Sequence, residues 1–309
     1  METRRLGATG LEVSVVGFGG APIGFLEAEQ RQVAAMLNAL LDRGVNLIDT
    51  AAMYAGSEEA IGKAVSHRRG DFVLVCKCPD PTADGEDAWT APKIARSVER
   101  SLRRLRTSRL DVVLLHSCGV QELQKGEALA ALLRLRDEGK IGFAGYSGDN
   151  QTAVYAAGLP GISVLETSVN VCDQANLSGL LPEARRRGLG VIAKRPIANS
   201  AWKPLSEQLG MYASYAKTYT ERFQAMGLTL AGLGLSGDPA AIWPQVALRF
   251  TLSQPGVHAA IVGTCRLAHA EANLGAAALG PLPEAMLATL RGAFAKAEAA
   301  SGEAWAGQT

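Results

Sequence analysis

The sequence predicts an α/β protein, a closed (β/α)8 TIM barrel with an N-terminal β-hairpin cap and an extended segment after strand 7. Three observations lead there. Eight short, near-continuous apolar runs alternate with amphipathic stretches, as parallel strands buried on both faces require. Three successive runs close on Asp49, Lys77 and His116, at the strand ends where such a barrel gathers its functional groups. Gly44, Gly139 and Gly188 stand just past helical stretches, as C-terminal stops. Eight alternations fit one closed barrel over residues 1–309 better than an open sheet with a second domain.

The elements follow in order. A small hairpin is expected at 4–6 and 12–14, turned by Gly7-Ala8-Thr9-Gly10. Strands are expected at 15–18, 45–49, 72–77, 111–115, 141–146, 162–167, 189–193 and 258–262. Helices are expected at 28–43, 57–67, 91–106, 122–138, 149–157, 176–187 and 240–253. The arginines between Arg96 and Arg109 read as an exposed helix face. Segment 199–240 breaks the rhythm. Its Tyr212, Tyr215, Tyr219 and Phe223 recur at helical spacing, so a core stripe is favoured over a pocket lining.

Size and charge narrow the function. With 309 residues, 48% of them hydrophobic, the chain can bury a full core. A net charge of +1 gives no general attraction to nucleic acid or to an anionic membrane. No run approaches the roughly 18 apolar residues of a membrane span. Five scattered cysteines suit a reduced, cytoplasmic protein. In Cys76-Lys77-Cys78 both thiols should face away from Lys77 and pack unligated.

The polar residues at the strand ends suit proton donation to a carbonyl. Tyr54, five residues beyond Asp49, is the candidate donor, but an ordinary phenol has a pKa of about 10. A neighbouring ammonium eases release of that proton, and Lys77 supplies one. Asp49 would hold Lys77 charged and aimed, and His116 would orient the substrate oxygen. Alone, a Tyr or His near a strand end is more often a packing residue, whereas a Lys inside a barrel is harder to dismiss because an unpaired buried ammonium is expensive. Together the four are far more specific.

These residues sit in a longer pattern. Arg4-x-Leu6-Gly7-x-Thr9-Gly10-Leu11-x-Val13-Ser14, Gly17-Phe18-Gly19-Gly20, Ile48-Asp49-Thr50-Ala51 with Tyr54 and Gly56-Ser57-Glu58, Leu114-Leu115-His116 and Gly139-Lys140-Ile141-Gly142 resemble the aldo-keto reductases. The resemblance covers essentially the whole chain. It implies reversible carbonyl reduction of a small-molecule carbonyl or alcohol substrate by an NAD(P)H-dependent enzyme. Asp49, Tyr54, Lys77 and His116 would form the catalytic tetrad.

On the cofactor side the resemblance points to Gly20, Ala21, Asp49, Ser147, the loop Arg195-Pro196-Ile197-Ala198, and Gly263, Thr264, Arg266, His269 and Asn273. The family's Ser-Asn pair, which holds the nicotinamide carboxamide, reads here Ser147-Gly148, so Ser147 carries over and either Asp149 or Asn150 would have to reach in place of the Asn. Glu166 replaces its usual glutamine, and Lys194 a frequent tyrosine. Glu166 and Lys194 are expected to pair with each other. Arg266 favours NADP(H), since a guanidinium fork matches phosphate; NAD(H) stays open. Ile23, Phe25, Trp89, Cys118 and Trp202 are expected to wall the substrate pocket.

Three other readings compete. A Rossmann dehydrogenase is disfavoured because Pro22 stands where the third glycine belongs. A Schiff-base aldolase would use Lys77 or Lys194 as nucleophile. An NADP(H)-sensing regulatory barrel would leave the tetrad without turnover.

Overall fold

The computed structural model describes the chain except residues 26–27, 86–87, 209–211 and 309 and the side chains at 25, 212 and 213. Its first half runs β1 (Thr3–Arg5), β2 (Glu12–Ser14), β3 (Val16–Gly19), α1 (Ala21–Phe25), α2 (Gln30–Asp42), β4 (Leu47–Asp49), α3 (Ser57–Val65), β5 (Val73–Cys78) and α4 (Pro81–Asp84). There follow α5 (Ala91–Leu105), β6 (Leu110–His116), α6 (Val120–Lys125), α7 (Glu127–Asp137), β7 (Ile141–Ser147), α8 (Asn150–Gly158) and β8 (Ile162–Ser168). The last part holds α9 (Leu180–Arg186), β9 (Gly190–Lys194), α10 (Tyr212–Met226), α11 (Pro239–Leu252), β10 (Ala259–Val262), α12 (Leu267–Ala278) and α13 (Glu284–Ser301).

Eight parallel strands close into a barrel in the order β10-β3-β4-β5-β6-β7-β8-β9. Side chains along each strand alternate between its two faces. Leu47, Val75, Leu114, Val164 and Ile192 therefore fill the barrel interior. Ile48, Leu74, Val113, Leu165 and Val191 pack outward beneath the helices. Two residues beyond the inward set stand Asp49, Lys77, His116, Glu166 and Lys194. The pleat that builds the core thus also delivers the polar layer at its C-terminal mouth.

The opposite end is closed by the hairpin. β1 and β2 pair antiparallel, and Leu6 and Val13 join the interior cluster, both fully buried. The Ala8 amide donates to the Gly188 carbonyl at 2.7 Å, which ties the turn to the start of β9.

Besides the unexpected short helices α1 and α4 and the late start of α9, the structure departs from the expected reading in four places. The helix expected at 122–138 is two, because Gly126 takes a left-handed φ of 72° between α6 and α7. α13 was not expected; its alanine-rich sequence offers little apolar contrast. In α10, Tyr219 and Phe223 are buried as a core stripe requires, but Tyr215 stays 47% exposed. Finally, Arg100 and Arg104 do not form a solvated face. Arg100 grips the buried Asp84 through two bonds of 2.8 Å, and Arg104 reaches the buried Glu58 at 3.1 Å.

Gly145 on β7 lies in close contact with both neighbouring strands. A Cβ on Gly145 would lie 2.2 Å from the Val164 carbonyl oxygen and 2.4 Å from Leu114 Cδ2. Gly145→Ala should therefore lower the unfolding free energy by about 3 kcal/mol in urea denaturation, since overpacked cores lose stability on that scale. Gly292→Ala, in α13 with nothing within 4 Å of the new methyl, should gain up to about 1 kcal/mol from helix propensity.

Candidate active site

The centre of the mouth is a buried ion cluster. Lys77 has no exposed surface and Asp49 is 1% exposed. Lys77 Nζ donates to both Asp49 oxygens, at 2.5 and 2.6 Å, and to the Thr50 carbonyl at 3.2 Å. Burial alone would lower the Lys77 pKa, but Asp49 and then Glu166 raise it above the ordinary lysine value. Burial and Glu166 raise the Asp49 pKa, against the pull of Lys77. The ammonium is thus fixed in charge and in place.

Tyr54 and His116 flank it. Lys77 Nζ lies 5.3 Å from the Tyr54 ring centroid, and the Tyr54 and His116 rings meet edge to face at 5.9 Å. Burial raises the phenol's pKa; Lys77 is the largest influence lowering it. Burial, then Lys77, Lys194 and Arg195, hold the His116 pKa well below its usual value. The site therefore presents a protonated phenol and a neutral imidazole, whose buried Nδ1 has no hydrogen-bond partner among the described residues.

The expected Glu166–Lys194 pair does not form. Glu166 stands opposite Ile192 and Ser168 opposite Lys194, so Lys194 sits two residues higher on its strand. Ser147 pairs with Glu166 in register, which leaves Asp149 at the height of Lys194. Lys194 accordingly bonds Asp149 at 3.0 Å, while Glu166 turns inward to within 3.2 Å of Lys77 Nζ. Glu166 Oε1 accepts from the Ser147 hydroxyl at 3.3 Å. Its buried Oε2 has no partner in hydrogen-bonding geometry among the described residues.

Asp149 is the residue sequence reasoning underweighted. Besides Lys194 it accepts from the Ser168 amide at 2.7 Å, the Thr167 hydroxyl at 2.8 Å and Asn176 Nδ2 at 3.1 Å. Burial raises its pKa, but Lys194 and these donors bring it below the ordinary value. In the sequence Asp149 and Asn150 read only as stand-ins for the family's missing Asn; instead Asp149 is taken up by Lys194 and those donors, and Asn150 by Gly307.

The rim is built of loops held in unusual backbone. Ser117, Asn150, Arg195, Ala198, Asn199 and Ser200 all take left-handed φ between 45° and 60°, after β6, β7 and β9. Such conformations in non-glycine residues gather at ligand-binding sites. A segment beyond α13 lies across this rim, and nothing in its sequence announced it. Asn150 exchanges bonds with Gly307 at 2.7 and 2.9 Å. The Gln308 carbonyl accepts from Arg195 and from the Ser168 hydroxyl, and its amide donates to Asp173 at 3.0 Å.

The remaining expected residues divide. Gly20 packs against the back of the cluster, its amide donating to the Asp49 carbonyl at 2.7 Å. Ala21, Ile197 and Thr264 are half-buried, Pro196 and Ala198 are buried, and Gly263, Arg266 and His269 are exposed around the start of α12. Asn273 is buried in the crevice between α12 and β3. Lys203, not anticipated, is close enough to His269 to lower its pKa, after burial and Arg266.

The pocket walls differ more. Ile23 and Cys118 belong to the main core, with Trp89 half-buried against it. The Phe25 side chain lies outside the described residues. Trp202 does not join the mouth residues: it stacks on Trp243 at 6.3 Å and meets Phe223 at 6.4 Å. α10 brings Phe223 and Tyr219 into a second apolar cluster that captures it. A recess of 400 Å³ lies beside that cluster, lined by Trp202, Pro204, Phe223 and Leu228.

Comparison with known proteins agrees with this geometry. The model of the aldo/keto reductase family matches residues 15–294. L-galactose dehydrogenase from Arabidopsis thaliana is 28% identical over 300 residues, 89% of this chain and 88% of that protein. A structure assigned provisionally as an aldo-keto reductase from Pseudomonas aeruginosa superposes with a TM-score of 0.69 at 30% identity. The match covers 90% of this chain and 95% of that one. The holo form of the aldo-keto reductase AKR11C1 from Bacillus halodurans shares the fold, with a TM-score of 0.79 at 24% identity over 95% and 96% of the two chains. Among the described residues no helix is long and apolar enough to cross a membrane.

Asp173 makes the rim sensitive to pH. Fully buried, it accepts from the Tyr219 hydroxyl at 2.8 Å and the Gln308 amide. Burial pushes its pKa up to about 6, above the value of about 3.9 in an unfolded chain. The folded state then holds the proton more tightly than the unfolded one. Its contribution is full below about pH 4 and is lost as pH rises through about 6. Asp173→Asn should therefore reduce the loss of unfolding free energy between pH 4 and 7 by about 2–3 kcal/mol, measured by denaturant titration at both values.

Proposed function

Because the chain belongs to the aldo/keto reductase family, we propose that it reduces a small carbonyl compound with NADP(H) and that Tyr54 donates the proton. The observation that carries this reading is Lys77. It is fully buried, clasped by both oxygens of Asp49, and set beside the Tyr54 ring.

The chain's residues divide the work. A carbonyl oxygen placed between Tyr54 and His116 meets a phenol O–H and a neutral imidazole. As negative charge grows on that oxygen, the phenol releases its proton toward it. The fixed Lys77 ammonium stabilises the phenolate left behind. Asp49 keeps that ammonium from reorienting at the moment of reaction. Bound nicotinamide would supply the hydrogen and its electron pair to the carbonyl carbon.

The residues present suit such a cofactor. Glu166 Oε2, 3.2 Å from Lys77 Nζ, is a buried acceptor that takes no hydrogen bond among the described residues, as a carboxamide N–H₂ would use. Arg195 carries no carboxylate partner among the described residues, and the loop 195–200, left-handed at Arg195, Ala198, Asn199 and Ser200, turns beside it. Arg266 and Lys203 stand near His269, likewise without acidic partners among the described residues, and would receive a 2′-phosphate. This favours NADP(H) over NAD(H).

The aldolase reading meets an obstacle in the same geometry. A Schiff-base lysine must be neutral and accessible, and Lys77 is neither. Lys194 is held by Asp149. The sugar named in the Arabidopsis relative makes aldoses a substrate class to set beside small aldehydes.

The test is steady-state kinetics on a panel of aldehydes and aldoses with NADPH and NADH. Tyr54→Phe should lower kcat by about 10²–10⁴-fold, the usual worth of a general acid, with cofactor Kd nearly unchanged. A variant that keeps kcat within threefold would remove Tyr54 from the role. Tight cofactor binding by wild type without turnover on the whole panel would favour the sensor.

A further inference from the structure

We propose that Glu166 discriminates the redox state of the nicotinamide ring, stabilising the positively charged oxidised form over the neutral reduced one. The inference rests on the function proposed above and adds a role for a residue outside the Asp49–Tyr54–Lys77–His116 set.

Position comes first. His116, Ser147 and Glu166 stand level on β6, β7 and β8. If Tyr54 and His116 receive the substrate oxygen, the ring that touches the carbonyl carbon lies toward Ser147, Glu166 and Lys194. Close contact between the reacting atoms keeps the ring inside the mouth, whose wall on β7, β8 and β9 carries these three residues.

Charge comes second. Lys77 is already matched by Asp49 at 2.5 and 2.6 Å, and Lys194 by Asp149 at 3.0 Å. The other cation of the mouth, Arg195, is engaged at the rim by Ser168 and the Gln308 carbonyl. Glu166 is therefore a second carboxylate on one ammonium, 3.2 Å from Lys77 Nζ yet outside hydrogen-bonding geometry. Only 2% exposed, it is poorly compensated by water. A buried carboxylate in that condition gains most from a further cation or donor at its open oxygen. A pyridinium ring bearing a carboxamide offers both; a dihydropyridine offers the carboxamide alone.

The consequence follows from the balance of the reaction. The carbonyl carbon gains a hydrogen with its electron pair, the oxygen gains the Tyr54 proton, and the ring that gave up the pair becomes a cation. Tyr54 recovers its proton from solvent. Positive charge thus grows beside Glu166 during reduction, and its carboxylate strengthens the bound reduced ring as a donor. The same attraction slows release of the oxidised cofactor.

Calorimetric titration of NADP⁺ and of NADPH, without substrate, tests this on wild type, Glu166→Gln and Glu166→Asp. Wild type should bind NADP⁺ at least as tightly as NADPH. Glu166→Gln should shift the affinity ratio toward NADPH by about tenfold, as one nearby charge in a low-dielectric site implies. Glu166→Asp, which keeps the charge, should move it less. A ratio in Glu166→Gln within about twofold of wild type overturns the inference while leaving the reductase reading intact. So does a wild-type preference for NADPH of about tenfold or more, a result that needs no variant to fold. Failure of wild type to bind either form overturns both.

Discussion

One ion pair organises the mouth of this barrel. An ammonium at zero exposure survives only if its charge is met on the spot, and Asp49 meets it from the neighbouring strand. Because Lys77 and Asp49 both point inward, each follows its strand's interior residue by two. Neither could leave its place without breaking the alternation that fills the barrel. The same constraint that makes the pair costly to disrupt makes it a fixed positive charge for Tyr54.

Around that pair the mouth is assembled as a graded set of charges. Glu166 leans on Lys77 from across the barrel, and Asp149 and Lys194 close on each other one step higher. Neutral His116 completes the ring. Its pKa is held down first by burial and then by the surrounding cations, so the mouth presents a phenol and a neutral imidazole backed by a buried cation, the pair that the proposed reading sets against a carbonyl. The rim above is held differently, by left-handed loop residues and by the 305–308 segment bonded to Asn150, Ser168, Asp173 and Arg195.

Much of this was legible in the amino-acid order. Eight apolar runs, three of them closing on Asp49, Lys77 and His116, state the barrel and its open face, because a period of two carries both the core and the layer above it; Tyr54, in the loop after Asp49, was legible only from its place beside them. Pairing within that layer was not legible. Glu166 and Lys194 both face inward, yet which carboxylate meets which lysine depends on strand stagger, a property of the closed barrel and of no single run. Trp202 was misplaced for a related reason: α10 supplies a second apolar surface whose docking only the fold reveals. The stretch across the rim has no periodicity to read, since its contacts are mainly backbone amides and carbonyls.

The account stands on Lys77 being a permanently charged residue. Nitrogen NMR of lysine-labelled protein, with the Lys77 signal assigned by its loss in Lys77→Met, measures this directly. The account predicts an ammonium that persists beyond the pH of about 10.4 at which free lysine titrates. A Lys77 signal that moves to the neutral amine below about pH 9 would contradict it.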